Sequence, residues 1–209
     1  MTKPPLLILG MHRSGTSCLT GLLEEAGVWL GEVKRASAHN AKGNRENPEV
    51  MALNEAVLAA NGVAWNKPPE GPVTWTSAHL AERDRILAGY PADRVWGVKD
   101  PRMLFTLEGW RSALPQVRLV GTLRHPLSVA RSLHARGKIP LDQGVALWTK
   151  YNRRLLDLVR SEDIPILSFD QPDARYLAAA TALIADMGLD VPLGGMAFFD
   201  DTLRHQTAT

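Results

Sequence analysis

Apolar positions in this chain fall into short solid runs, separated by stretches in which they recur every three or four residues. Pro5 to Leu9 is the first solid run and reads as a buried strand. Leu19, Leu22, Leu23 and Ala26 follow at i, i+3, i+4 and i+7, which predicts a helix stopped at Gly27. Gly31 to Glu46 is rich in lysine, arginine and asparagine and is expected to be a loop. Asn47-Pro48-Glu49 opens the next helix with an N-cap and a proline at the first helical position, and Val50, Leu53, Val57 and Leu58 carry it to Gly62. The proline-bearing stretch Asn66 to Thr76 predicts irregular structure, and Ser77 to Ala88 a charged surface helix. Val95 to Val98 and Val117 to Thr122 are two further buried strands, ending at Lys99 and Arg124. Pro126 opens another helix. A long one at about Asp142 to Arg160 sets Val145, Trp148, Leu155 and Val159 on one face. Ile164 to Phe169 reads as a last strand, placed at an edge by Pro165, and Asp173 to Met187 as a final helix. Strands alternating with helices predict an α/β protein: a central parallel β-sheet covered on both faces. No repeat or linker divides the chain, so residues 1–209 are read as a single domain.

Composition narrows the picture by exclusion. Lys+Arg 24 against Asp+Glu 22 leaves a net charge of +2, too balanced for a general nucleic-acid or membrane-surface binder. Any basic site must therefore be local. One cysteine, Cys18, rules out an internal disulfide framework and fits a reducing compartment, with packing as its expected role. The apolar run at Leu6 to Leu9 is far short of the roughly 20 residues that span a bilayer and lacks a signal-peptide layout. A cytoplasmic location is the expectation. The histidines are scattered without ligand spacing, so no metal site is expected.

The chemistry gathers after the first strand. Gly10 and Gly15 stand in the spacing of the phosphate-binding signature G-x-x-x-x-G-K-[ST], with Ser17 at its final hydroxyl position. Thr16 replaces the signature lysine and Arg13 lies inside the loop. An anion is expected there, cradled by backbone N–H groups, a helix N-terminus and the hydroxyls of Ser14, Thr16 and Ser17. In open α/β sheets, ligands bind outside the carboxyl ends of the strands. The glycine loop, Lys99 and Arg124 should then converge on one sheet edge, with arginine supplying most of the countercharge without a metal.

Two of these segments resemble a known family. Gly10-Met11-His12-Arg13-Ser14-Gly15-Thr16-Ser17 is similar to the 5′-phosphosulfate loop of sulfotransferases that use 3′-phosphoadenosine 5′-phosphosulfate, PAPS. Leu123 to Ser132 resembles their 3′-phosphate motif, in which an arginine and a serine eight positions later grip the 3′-phosphate; here these are Arg124 and Ser132. Gly97 to Arg102, and more weakly Trp148 to Asn152 and Phe199 to His205, are similar to bacterial members. The resemblance implies a P-loop-like three-layer α/β/α domain. It implies transfer of a sulfuryl group from PAPS to a hydroxyl or amine, releasing adenosine 3′,5′-bisphosphate, by in-line displacement. Cofactor contacts would come from Arg13, Ser14, Gly15, Thr16, Ser17, Arg124 and Ser132. Arg13 would stabilise the leaving group and Lys99 would bind the sulfuryl oxygens.

An acceptor hydroxyl also needs a base. Several relatives place a glutamate after the first helix, and Glu46 is the nearest match, although Glu46 and Glu49 also suit the dipole of the helix they precede. Others use a histidine after the strand-end lysine, where this chain has Asp100; His39 is a third possibility. His12 is expected to shape the loop, and Trp65 and Trp75 to line an acceptor pocket. The acceptor itself, a small molecule or saccharide, is not encoded in any readable motif. Two other readings stay open: a small-molecule or nucleotide kinase with a degenerate phosphate loop, Asp100 binding magnesium and Arg131 and Arg136 in a lid, and a non-catalytic nucleotide-binding module.

Overall fold

The computed structural model describes residues 4–33, 43–192, 196, 198 and 199. Four strands form one parallel sheet: β1 (Leu6–Leu9), β2 (Gly97–Lys99), β3 (Arg118–Leu123) and β4 (Ile166–Ser168), in the order β2-β1-β3-β4. Leu7 pairs with Val98 on one side and Leu119 on the other, and Thr122 pairs with Leu167. The strand containing Pro165 at its entrance lies at the edge, as its missing N–H requires.

The pleat of β1 divides the interior. Leu6 and Ile8 face a cluster with Leu19, Leu22 and Leu23 of helix α1 (Thr16–Glu25) and Tyr176, Ala180 and Ile184 of α7 (Asp173–Asp186). Leu7 and Leu9 face the opposite cluster, built from α2 (Pro48–Ala60), α3 (Ser77–Ala88), α4 (Met103–Arg111), α5 (Pro126–Gly137) and α6 (Leu141–Ser161). The fold is thus α/β with helices on both faces of the sheet, and all four residues of β1 are buried.

Two local expectations are corrected. α4 is absent from the sequence reading, because seven of its nine residues are buried and no polar stripe marks a helical period. The buried face of α6 runs through Gly144, Leu147, Tyr151, Leu155 and Leu158, so Val145, Trp148 and Val159 flank it. The loop before α2 is enclosed at its end, where Arg45, Glu46 and Asn47 are all buried. Asn47 caps α2, its Oδ1 accepting from the N–H groups of Glu49 at 2.9 Å and Val50 at 3.3 Å.

The chain leaves β1 for β2 on one side, then crosses to β3 on the other. Its carboxyl end is therefore a switch point, where the covering helices part and leave a crevice. The loop after β1, Lys99 at the end of β2 and Arg124 after β3 all open onto that edge.

Candidate active site

The loop from Gly10 to Gly15 turns on three residues with positive φ: Gly10 at 147°, Arg13 at 66° and Gly15 at 86°. A Cβ on Gly15 would come within 2.4 Å of the Phe169 ring, so the turn is seated directly on the residue following β4. Thr122 fastens the loop from β3, its hydroxyl donating to the Ser14 carbonyl at 2.9 Å. Ser14 is wholly buried, and its own hydroxyl makes no hydrogen bond. α1 begins without a side-chain cap, which leaves its first N–H groups available to an anion. Ser17 differs from Ser14, since its hydroxyl donates to the Asn44 carbonyl at 3.2 Å.

The two segments that carry the family resemblance meet. Arg13 donates from Nε to the Ser132 hydroxyl at 2.8 Å, across 119 positions of sequence. Arg124 donates from Nη1 to the Arg13 carbonyl at 3.3 Å and lies over the Phe169 ring. Trp148 holds the Arg124 carbonyl through its indole N–H at 2.8 Å. Burial, then the Arg136 and Arg124 guanidiniums, lower the pKa of Arg13. Such a cluster of like charge invites an anion. One carboxylate is present on this side: Asp170 lies 3.6 Å from Nε of Arg124 and accepts from the His125 N–H. Sequence reasoning passed over Asp170, although an acid just past a parallel strand stands at the ligand edge by topology.

Beside the loop lies a cavity of about 550 Å³, lined by Arg13, Thr16, Ser17, Glu46, Lys99 and His12, and also by Trp65, Met51, Leu133, Arg136 and Ile139. Lys99 donates from Nζ to Glu46 at 2.7 Å, with side chains only 2% and 11% exposed. Asp100 does not line the cavity. Its Oδ1 accepts from the backbone N–H of Arg102 at 2.8 Å and from its guanidinium at 2.9 Å. Burial raises the Asp100 carboxyl to about 6, Arg102 opposing the shift and Glu46 adding to it. Arg102 continues to Glu55 at 2.8 Å. His39 lies outside the described residues.

Trp65 reaches the cavity and Trp75 does not; it packs over Gly109 in α4 and edge-on to Trp110. His12 lines the cavity between Trp65, with ring centroids 4.8 Å apart, and Tyr151, at 5.9 Å. Burial, followed by the charges of Arg102, Lys99, Arg136 and Arg13, pushes its pKa well below the ordinary imidazole value. Its place inside a glycine loop was the only sequence signal for it. Arg136, expected in a lid under the kinase reading, lines the cavity and stands one helical turn beyond Ser132. Among the described residues, no group of three or more histidine, cysteine, aspartate or glutamate side chains is set to hold a metal.

No family model matches the chain, and no curated protein matches it. Solved structures do. A sulfotransferase from Alicyclobacillus acidocaldarius superposes over 97% of this chain and 89% of its own, with TM-score 0.57 and 15% identity. The sulfotransferase domain of the Synechococcus PCC 7002 olefin synthase covers 99% and 79%, with TM-score 0.54 and 18% identity. A Mycobacterium avium sulfotransferase covers 95% and 67%, with TM-score 0.59 and 16% identity. The likeness establishes the P-loop-like α/β/α fold shared with these bacterial domains.

Proposed function

We propose that this protein is a sulfotransferase, moving a sulfuryl group from PAPS to a hydroxyl or amine of an acceptor bound in the cavity beside the glycine loop. The observation that carries the reading is the contact between Arg13 and Ser132, which makes one site of two motifs far apart in sequence. The residues present fit a nucleotide with phosphates at both ends. Ser14 offers a buried, unpartnered hydroxyl at the 5′ side, and Arg124 and Ser132 sit beside it for the 3′-phosphate.

PAPS supplies the activated sulfuryl group. The protein's task is positioning and charge stabilisation, as in phosphoryl transfer. Backbone N–H groups of the loop and the first turn of α1 hold anionic oxygens. Arg13 faces the charge that grows on the departing phosphate, and Lys99 stands on the cavity side for sulfuryl oxygens. Asp100 and Glu55 fix Arg102, which closes the wall beneath the acceptor space. Asp100 is held by Arg102 away from the cavity, which disfavours the magnesium role a kinase would give it.

The test is transfer of labelled sulfate from PAPS to acceptors in an extract, with binding of adenosine 3′,5′-bisphosphate measured beside magnesium-ATP. Tight bisphosphate binding and label in a product are expected. Tight ATP binding with no response to the bisphosphate would make the protein a kinase. Arg124→Ala should weaken the bisphosphate more than adenosine 5′-phosphate, by about 1.5–3 kcal/mol for one charge-assisted partner. Equal losses for the two ligands would remove Arg124 from the 3′-phosphate.

A further inference from the structure

We infer that His12 is the catalytic base of this transfer, its imidazole taking the proton from the acceptor hydroxyl. The inference rests on the sulfotransferase reading and moves to the loop histidine a step expected of Glu46, Asp100 or His39. Glu46 reaches the cavity but already holds the buried Lys99 ammonium, and protonating it would strip that ammonium of its counter-charge. Asp100 is clamped by Arg102 outside the cavity wall. His12 has no such engagement: its ring lines the cavity, and Nε2 is enclosed without a hydrogen-bond partner, which leaves Nδ1 as the nitrogen that meets the acceptor.

The ring is also fixed in place. Trp65 and Tyr151 flank it, and the Tyr151 hydroxyl donates to the Trp65 carbonyl at 2.8 Å, so the two flanking residues are tied together. The charged groups around it are Arg13 in the loop, Glu46 before α2, Lys99 and Asp100 after β2, Arg102 before α4 and Arg136 in α5. Both carboxylates in that set accept from a cation, Glu46 from Lys99 and Asp100 from Arg102. The balance keeps the imidazole neutral, the form a base needs at neutral pH. In the step, the acceptor O–H bond breaks and its electron pair forms the new O–S bond. The S–O bond to the nucleotide phosphate breaks, its pair remaining on the phosphate oxygen beside Arg13. The proton rests on the imidazole and then passes to solvent.

The experiment uses the full chain with PAPS and phenol, whose hydroxyl keeps its proton at neutral pH, as probe acceptor, following formation of adenosine bisphosphate. His12→Asn and His12→Gln should lower kcat by about 100-fold or more, the scale of general-base catalysis, while bisphosphate affinity stays within about twofold, which also shows that the loop has folded. Glu46→Gln should lose less than His12→Asn. Added imidazole should restore part of the turnover of His12→Ala. The ring-nitrogen NMR signals missing from His12→Asn should still be those of a neutral imidazole at pH values below the ordinary imidazole pKa of 6.5. Near wild-type turnover in His12→Asn, a deeper loss in Glu46→Gln, no response to imidazole, or an imidazolium at neutral pH would each overturn the assignment. A wild-type chain that binds the bisphosphate and never transfers sulfate would instead sink the sulfotransferase reading itself.

Discussion

Asp100 and Glu46 show how little a residue's type reveals without its partners. Both are acids near the same strand end, yet one is drawn to a buried lysine and the other to an arginine two positions on. The Asp100 carboxyl, raised from 3.8 to about 6 chiefly by burial, binds its proton more tightly in the folded protein than in the unfolded chain. Its contribution to stability is full below about pH 4 and lost as pH rises through about 6, a swing on the order of 3 kcal/mol. Asp100→Asn should remove that swing. In urea unfolding, the stability of the wild type minus that of the variant should fall between pH 4 and 6.5 and stay level above; a level difference throughout would contradict the assigned environment. The sequence placed Arg13, Lys99 and Arg124 just past the ends of three strands, because strand ends can be read from apolar runs; Glu46 came from the family resemblance alone. Their partners could not be read: Lys99 and Glu46 are 53 positions apart, and no local periodicity couples them.

At the scale of elements, legibility followed exposure. α2, α3 and α7 each alternate buried with exposed positions, and their bounds lie close to those expected. α4 is enclosed on nearly every side and carried no such signal. The start of α2 bears directly on the site, since Asn47 caps the helix while the preceding Glu46 holds Lys99. Asn47 also donates to the Tyr90 hydroxyl at 3.2 Å, which moors the segment from outside. Asn47→Ala should cost about 1 kcal/mol of stability, the usual value of a lost N-cap. It should lower turnover by more than that loss explains, because Glu46 and Lys99 move with the cap. Parallel melting and kcat measurements check this; normal turnover in a destabilised variant would show that the cap serves the helix alone.

Over the whole molecule, the site joins elements that are remote in sequence: the loop after β1, the end of β2, the first turns of α5 and the residues after β4. A ligand that bridges them should stabilise the entire domain. At 100 times its Kd, adenosine 3′,5′-bisphosphate should add about 2.7 kcal/mol. For a chain of this size that raises Tm by roughly 5–10 °C. Magnesium-ATP at the same concentration should shift it little, and a larger shift with ATP would revive the kinase reading. The parallel sheet and its two covering layers were legible because solid apolar runs alternated with helical stretches. The depth of the cavity was not, since Trp65, Leu133 and Ile139 come from segments whose sequence carries no common pattern.

The placement of two indoles has an experimental consequence. Trp148 is bonded to the Arg124 carbonyl, and Trp65 stands against His12 in the cavity. In variants that keep one or the other of these two among the six tryptophans, intrinsic fluorescence would report separately on the surroundings of Arg124 and of His12, without any attached dye.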